Sequence, residues 1–404
     1  MTGSPETLAE PPAGERQNLR FMLLYALAAA GGAMAYVPFL TILLPVRVEA
    51  MAGGEHVSWL AYCAFAGAVM ASLSNVLFGW LSDKTGRRGA WVAAGLVLTC
   101  ALLPAMALAE GLPALLGLLV VWQLALNMML APLAALAGDF VPDRQKGFLG
   151  GLLSLAPAMG AASGVLVTIP GLAGPDMRLA LVAALVAACV LPLLLFGRPR
   201  AFPELMAPVP KREGPVDPRP RQVVVRMWIA RLLVQIAEAA LFAYLYIWLR
   251  SLSGRIGDND AAQVFGVVLF LAVPATLLVG RWADRVNRPI LPLAICAAVT
   301  GAALLGMAGA ADLPLALAGY AVFGLASSIF LALHSAQTLR VLPRPQHRGR
   351  DLGLFNLTNT VPSLAMPGLT LAMVPVFGFG GLFIVLAVLV ILAAALLFSI
   401  PRPR

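Results

Sequence analysis

The sequence predicts an all-α membrane protein with twelve transmembrane helices in two bundles of six. Hydrophobic residues make up 60% of the 404 positions and charged residues 12%, whereas typical globular chains have about 45–50% apolar and about 25% charged residues. So little charge could not cover the surface of a water-soluble fold of this size. The composition therefore excludes disordered, collagen-like and nucleic-acid-binding chains, although the net charge of +9 would otherwise suggest an acidic partner.

Twelve apolar stretches justify the predicted helices in turn. The hydrocarbon core of a bilayer is about 30 Å thick, and about 20 apolar residues in helical conformation cross it. A helix also satisfies its own backbone hydrogen bonds where no water is present. In chain order, the predicted spans are residues 21–46, 56–81, 90–109, 113–138, 147–170, 179–197, 227–249, 261–280, 290–310, 313–339, 352–375 and 380–400.

The basic residues predict how these spans are oriented. If both termini are cytoplasmic, 23 of the 28 Lys and Arg residues lie in the tails and connections on the cytoplasmic side, as the positive-inside rule requires. We therefore expect an integral protein of the inner (cytoplasmic) membrane with both termini in the cytoplasm. The expected organisation is a cytoplasmic tail at 1–20, a first bundle at 21–197, a cytoplasmic linker at 198–226 and a second bundle at 227–400.

The two predicted bundles repeat each other at an offset of 201 residues. Three connections share this shift: Gly79 and Asp83 match Gly280 and Asp284, Leu112 and Pro113 match Leu313 and Pro314, and Val141 and Pro142 match Leu342 and Pro343. Because separate connections agree on one offset, we expect the chain to contain a duplicated six-helix unit.

The connection after the second span carries a ten-residue motif. Residues 79–88 read GWLSDKTGRR, which fits the pattern G-x-L-[SA]-D-[RK]-x-G-R-[RK] at every specified position. The charged and glycine positions of this motif are Gly79, Asp83, Lys84, Gly86, Arg87 and Arg88. A degenerate copy after the eighth span supplies Gly280, Asp284, Arg285 and Arg288. With this motif in both halves, the sequence resembles transporters of the major facilitator superfamily over essentially its whole length.

The resemblance implies a fold, a mechanism and a role for the motif. The implied fold has two six-helix bundles, each built from 3+3 inverted repeats, and the implied mechanism is alternating access. The motif would latch the cytoplasmic ends of the two bundles together. Gly79 and Gly86 would allow close approach of the chains, and Asp83 would face helix dipoles and nearby cations. A plain basic loop that sets topology is the alternative, above all for Lys84 and Arg88.

Two ionisable residues lie inside the predicted seventh span. A charged side chain at the centre of a transmembrane helix costs at least about 2.5 kcal/mol, so it usually marks a functional pathway. Arg231, Gln235 and Glu238 are spaced four and three residues apart, which places them on one helical face. Glu238 falls near the midplane, where transporter sites lie. We expect Glu238 and Arg231 to carry proton coupling, and a static pair between them that stabilises packing is the alternative.

Polar and aromatic residues in the spans predict the substrate contacts. The expected substrate-binding residues are Gln123, Asn127, Gln235, Tyr36, Ser328, Asn356 and Asn359. Neutral hydrogen-bonding groups of this kind suit a hydroxylated substrate. For each polar residue the alternative is a hydrogen bond between helices, and Tyr36 could equally serve packing or the aromatic belt.

The predicted function is proton-coupled uptake of a small polar solute such as a sugar or glycoside. Residues 348–353 read RGRDLG and look like the R-x-[KR]-D-L-G stretch of sucrose-type and related symporters. The alternative is a proton antiporter that exports drugs or metabolites. Gly160 and Gly164 fit part of the exporter signature of the fifth span, but Val165 stands where that signature has proline.

The sequence also predicts what the protein does not require. It contains no nucleophile and base constellation, no phosphate-binding glycine loop and no metal-ligand cluster. We therefore expect a non-enzyme without cofactor or metal, driven by the proton gradient. Its expected partners are a small-molecule substrate and the lipid bilayer, with no nucleic acid, and the expected oligomeric state is a monomer.

Overall fold

The computed structural model describes residues 16–153, 155–202, 219–286, 290–341 and 348–400, which form helices joined by short connections. The helices of the first half are α1 (Leu19–Pro38), α2 (Leu44–Ala52), α3 (His56–Thr85), α4 (Arg88–Ala105), α5 (Gly111–Phe140), α6 (Asp143–Leu153), α7 (Ala156–Val167) and α8 (Pro175–Phe196). The helices of the second half are α9 (Arg219–Leu252), α10 (Asp258–Val286), α11 (Leu291–Ala308), α12 (Leu313–Val341) and α13 (Arg348–Phe398).

Ten helical stretches of the described chain are long and apolar enough to cross a membrane. Eight of them correspond one to one to predicted spans. The first stretch, Leu19–Thr85, covers the two predicted spans at 21–46 and 56–81, with a short turn at Gly53–Glu55 between them. The last stretch, Val361–Phe398, is interrupted at Gly378, where φ is 64° and the backbone is not helical. The chain is therefore an all-helical integral membrane protein.

The predicted fifth span, 147–170, corresponds to one apolar stretch at Phe148–Val167. The structure describes it as α6 up to Leu153 and α7 from Ala156, and Ser154 between them lies outside the described residues. Pro157 lies in the first turn of α7, where its missing N–H would have no helical partner in any case. A proline at this position starts a new helix more readily than it continues an old one.

A π-helical turn, Phe39–Leu43, follows α1 and leads into α2. Pro38 ends α1 and has no N–H to donate, which favours a change in the backbone hydrogen-bond pattern at this point. The hydroxyl of Thr41 donates to the carbonyl of Val37 at 2.7 Å. The turn packs against α9 of the second half, so the irregular backbone lies at the interface of the two halves.

The helix starts repeat within one residue of the offset found in the sequence. Helices α3 and α10 begin at His56 and Asp258, and helices α5 and α12 begin at Gly111 and Leu313, so both pairs of starts are 202 residues apart. The two halves meet along α3 against α13 and along α7 against α10. Since residues 156–167 of α7 correspond to 357–368 of α13 at the sequence offset of 201 residues, the two contacts are equivalent under the repeat.

Two names locate positions along the bundles. The linker end is the end where α1 begins at Leu19 and α8 finishes at Phe196, and the opposite end carries the turns at 53–55 and 253–257. Between these ends the outward surface is apolar, with large exposed side chains such as Val76, Phe270 and Leu277. An apolar outer surface is what a helix bundle needs against lipid.

Candidate functional site

A cavity of about 410 Å³ lies between the two halves. The first half contributes Tyr36 and Val37 from α1 and Pro157 from α7. The second half contributes most of the wall: Gln235, Glu238, Ala239, Leu241, Phe242, Phe265, Val268, Leu269, Tyr320, Phe323, Gly324, Ser327, Ser328, Pro362 and Ser363. Aromatic and aliphatic groups thus dominate the wall, and a few amide, hydroxyl and carboxyl groups interrupt it.

Glu238 is the one carboxylate in this wall as the structure describes it. Its Oε1 accepts a hydrogen bond from the hydroxyl of Ser327 at 2.9 Å. Ser327 is buried on α12 and also donates weakly to the carbonyl of Gly324 at 3.4 Å. The hydrogen bond therefore holds a carboxyl of α9 against α12, at the edge of a largely apolar chamber.

Arg231 lies about two turns from Glu238 on α9, outside the cavity wall. Its Nε donates to Thr358 Oγ1 at 3.0 Å, and its Nη1 donates to the carbonyl of Leu331 at 3.5 Å. Arg231 thereby connects α9 to α13 and α12 within the second half. These contacts give it a packing role beside the coupling role expected from the sequence.

The structure divides the other predicted substrate contacts into three groups. Tyr36, Gln235 and Ser328 line the cavity beside Glu238. Gln123 lines a smaller neighbouring cavity of about 120 Å³, which also lies between the halves. Asn127 lies outside both walls, and the predictions for Asn356 and Asn359 fall on side chains outside the described part of the structure.

Asn127 makes hydrogen bonds between helices. Its Nδ2 donates to the carbonyl of Gln123 at 2.9 Å, and its Oδ1 accepts from Asn75 Nδ2 at 3.3 Å. The bond to Gln123 lies within α5, and the bond from Asn75 connects α3 to α5 within the first half. The alternative interpretation from the sequence, a hydrogen bond that joins helices, describes this residue better than substrate contact does.

In the motif at 79–88, Arg88 is the centre of the charged contacts. Its guanidinium pairs with Asp83 at 2.7 Å, donates to Ser82 Oγ at 2.9 Å and pairs with Asp139 at the end of α5. Lys84 lies over the ring of Trp80, 5.1 Å from its centroid. Asp83 therefore pairs within its own half, and its side chain remains 65% exposed.

The two glycines of this loop have different surroundings. Gly86 ends α3 with φ 63°, and its N–H bonds to the carbonyl of Ser82 at 3.0 Å. At Gly79 an added Cβ would meet no atom of the described residues within 4 Å. In the second copy, Gly280 faces Leu333, whereas the side chains of Asp284 and Arg285 and all of Arg288 lie outside the described part of the structure.

Charged contacts between the halves gather at the opposite end. Arg250 Nε donates to Glu49 Oε1 at 2.7 Å, and the hydroxyl of Tyr246 donates to Glu49 Oε2 at 2.8 Å. Arg178 of α8 pairs with Asp258 of α10. These pairs were not predicted as site residues, although the 201-residue offset relates Glu49 to Arg250 and could have indicated that they meet.

The fold and the cavity together define a secondary transporter, because such proteins bind their substrates near the midplane at the interface of repeated helical bundles. The sequence profile of the Major Facilitator Superfamily matches residues 21–257 and 227–404. The chain belongs to this family, whose members carry small molecules across membranes and are not enzymes.

Two multidrug resistance proteins are similar to this chain in sequence. Multidrug resistance protein MdtG of Escherichia coli O81 (strain ED1a) is 24% identical over 421 residues, covering 98% of this chain and 97% of the relative. MdtG of Enterobacter lignolyticus (strain SCF1) is 24% identical over 306 residues, covering 69% and 67%.

Solved structures share the fold at low sequence identity. A bacterial homologue of the human lysosomal transporter Spinster, in an inward-facing and unoccupied conformation, has a TM-score of 0.69 at 14% identity and covers 94% of this chain and 95% of its own. The human organic anion transporter MFSD10 (TETRAN) has a TM-score of 0.66 at 15% identity and covers 96% and 100%.

Proposed function

We propose that this chain is a proton-coupled exporter of amphipathic organic compounds, including lipophilic cations. The observation that carries the proposal is that Glu238 is the one carboxylate among the described residues of a cavity of about 410 Å³ whose walls are mainly aromatic and aliphatic. The resemblance to MdtG proteins, which are named for multidrug resistance, supports export at 24% identity. The expectation of sugar uptake finds no comparable support.

The wall chemistry explains the preference for amphipathic compounds. Phe242, Phe265 and Phe323 offer ring faces that attract apolar groups and cations. A sugar would need hydrogen-bond partners for most of its hydroxyl groups, since each buried unpaired hydroxyl is costly. Eleven of the eighteen wall residues have no hydrogen-bonding side chain, and among the other seven Ser327 is already bonded to Glu238.

Glu238 also gives a physical reason for exchange of a proton against a cation. An unpaired charge in an apolar chamber is unfavourable, so the carboxyl is neutralised either by a proton on one of its oxygens or by a bound cation. The two forms exclude each other at one group. Alternation between them, in a cavity open first to one side and then to the other, exchanges protons for substrate.

The same proposal includes the finer topology. We infer twelve crossings, because the Gly53–Glu55 turn and the break at Gly378 each divide a stretch that is too long for one crossing. The excess of Lys and Arg at the linker end supports cytoplasmic termini in the inner membrane. The bundles then occupy 21–197 and 227–400, with the tail at 1–20 and the linker at 198–226 on the cytoplasmic side.

Transport in proteoliposomes tests the function. With ethidium as the lipophilic cation and an imposed pH gradient as the driving force, the wild-type protein is expected to move ethidium against its gradient. Glu238→Gln removes the exchangeable proton without changing the size of the side chain, so gradient-driven movement should fall to the level of empty liposomes. Glu110→Gln is the matched control, because Glu110 is exposed in the connection between α4 and α5, and it should transport normally.

Two results would contradict the proposal. Undiminished ethidium movement by Glu238→Gln under the pH gradient would show that Glu238 does not carry the proton. Proton-driven accumulation of radiolabelled sucrose, with no movement of ethidium, would support the uptake function instead.

A further inference from the structure

A groove of about 360 Å³ lies on the lipid-facing surface at the linker end, between the start of α1 and the end of α8. It is lined by Asn18, Arg20, Phe21, Leu195, Phe196 and Arg198. The groove is separate from the central cavity, since no residue lines both. The groove lies between two membrane helices at their boundary with water, which is the level of the lipid headgroups.

Positive charge from two elements converges on this groove. Arg20 comes from the first turn of α1 and Arg198 from the segment after α8. Arg16 and Arg200 adjoin them, because Arg200 Nη1 donates to the carbonyl of Arg16 at 3.1 Å. Among the described residues, no carboxylate forms an ion pair with Arg20 or Arg198. The guanidinium of Arg20 lies 5.9 Å from the ring centroid of Phe196, which holds it beside the groove.

Apolar side chains continue from the charged end of the groove along the membrane. Leu23 and Leu27 follow Arg20 at three and seven residues on α1, so they share its face, and both are exposed. On α8, Leu195 is 65% exposed, and Leu191 lies one turn earlier on the same face. A molecule with an anionic head and an apolar chain would satisfy both parts of this surface.

The corresponding place in the second half is built differently. Ser399 stands 201 residues after Arg198, and its carbonyl accepts a hydrogen bond from Arg226 Nη1 at 2.6 Å. In the second half a guanidinium thus caps a carbonyl just after α13. At the end of α8 the backbone N–H of Gly197 bonds to the carbonyl of Leu193. At the position of Arg198 the second half therefore has an uncharged serine, whereas Arg221 stands at the position of Arg20.

We propose that this groove binds an anionic phospholipid of the leaflet at the linker end. Arg20 and Arg198 contact its phosphate, since guanidinium groups form charge-assisted hydrogen bonds with phosphate oxygens, and basic pockets between membrane helices commonly bind anionic headgroups. One acyl chain lies along the exposed leucines of α1 and α8. The site binds a lipid of the surrounding membrane, and this binding does not depend on the transported substrate.

Thermal unfolding of the purified full-length protein in detergent tests the site. Phosphatidylglycerol is expected to raise the apparent unfolding temperature in a saturable manner, because a ligand of the native state stabilises it by mass action. Phosphatidylcholine with the same acyl chains and inorganic phosphate should have little effect. In Arg20→Gln/Arg198→Gln the apparent affinity for phosphatidylglycerol should fall about thirty-fold, and Arg20→Lys/Arg198→Lys should recover most of it.

A second double variant separates this site from general charge attraction. Arg255→Gln/Arg281→Gln also removes two exposed positive charges, one of them from the turn at the opposite end, and should bind phosphatidylglycerol like the wild type. An equal loss in both double variants would overturn the proposal. It would also be overturned if inorganic phosphate alone stabilised the protein as strongly as phosphatidylglycerol, since the groove would then bind phosphate without lipid.

Discussion

Gly86 and Gly79 belong to the same motif, but the structure uses them differently. Gly86 adopts a positive φ of 63° at the end of α3, a conformation that an L-residue with a side chain enters at a cost of about 1–2 kcal/mol. Gly79 lies within α3, and no atom of the described residues would come within 4 Å of a Cβ added there. Gly86 therefore serves the fold, whereas Gly79 is available for a contact that another arrangement of the halves would make.

Paired alanine substitutions separate these roles. Gly86→Ala should lower the free energy of unfolding by about 1 kcal/mol, because alanine is strained at this φ. Gly79→Ala should leave stability unchanged and slow transport, if the linker ends close over Gly79 as the latch proposal requires. Thermal unfolding and ethidium transport measure the two effects. Normal transport by Gly79→Ala would contradict close approach at this position.

At the residue scale, charge in an apolar segment was the most informative signal in the sequence. Glu238 was predicted as a functional residue because a carboxyl within a membrane span is costly. The structure places it in the wall of the central cavity. The aromatic wall of Phe242 and Phe265 could not be selected, since apolar residues on any face of a membrane helix look alike in sequence. The substrate class was consequently predicted from the neutral polar residues and from the RGRDLG stretch at 348–353.

Among the helices, α1 and α7 make an unusually close contact at Gly160. A Cβ at this position would lie 2.9 Å from Val37 Cγ2 and 3.1 Å from the carbonyl of Ala33. Small residues allow membrane helices to pack closely, and this packing supplies much of their attraction. Val37 also lines the central cavity, so the contact that joins the two helices positions part of the cavity wall.

Alanine at Gly160 should disturb this contact. The added methyl group overlaps Val37 and the backbone of α1, and overpacking of this kind typically costs about 1–3 kcal/mol. Gly164→Ala is the matched control on the same helix, because its Cβ would meet Pro38 at an ordinary 3.4 Å. Thermal unfolding in detergent should show a lower midpoint for Gly160→Ala only. Equal midpoints for the two variants would mean that α1 can move away without loss.

At the element scale, hydropathy predicted the helices well but not their interruptions. A long apolar run is sufficient evidence for a membrane helix, and the helix ends fell near the expected positions. The π-helical turn after Pro38 depends on how neighbouring helices satisfy the altered backbone. That information resides in packing, which one sequence does not specify.

The whole molecule is held together at the opposite end by residues related through its internal repeat. Glu49 and Arg250 are 201 residues apart, so they occupy equivalent positions of the two halves and carry opposite charges. Residues close to the axis that relates two repeats can contact their own equivalents. The repeat thus brings a carboxylate and a guanidinium together between the halves, and Tyr246 adds a second hydrogen bond to the carboxylate.

The pair should bias the molecule toward the arrangement in which the opposite end is closed. Side chains of Arg250 and Glu49 are 39% and 29% exposed, so their interaction is expected to contribute about 1 kcal/mol or less. That is still enough to shift a two-state equilibrium several-fold. Glu49→Gln or Arg250→Gln should therefore increase the population that is open at the opposite end.

Distances between spin labels measure this population. Cysteines at Gly54 and Gly254, introduced after replacement of the four native cysteines, carry labels at the opposite end, where an added Cβ meets nothing within 4 Å. The single variants should increase the fraction of long distances. The exchanged pair Glu49→Arg/Arg250→Glu should restore much of the wild-type distribution, because equivalent positions can hold either charge. If the exchanged pair is as open as the single variants, the attraction between these charges is not what closes this end.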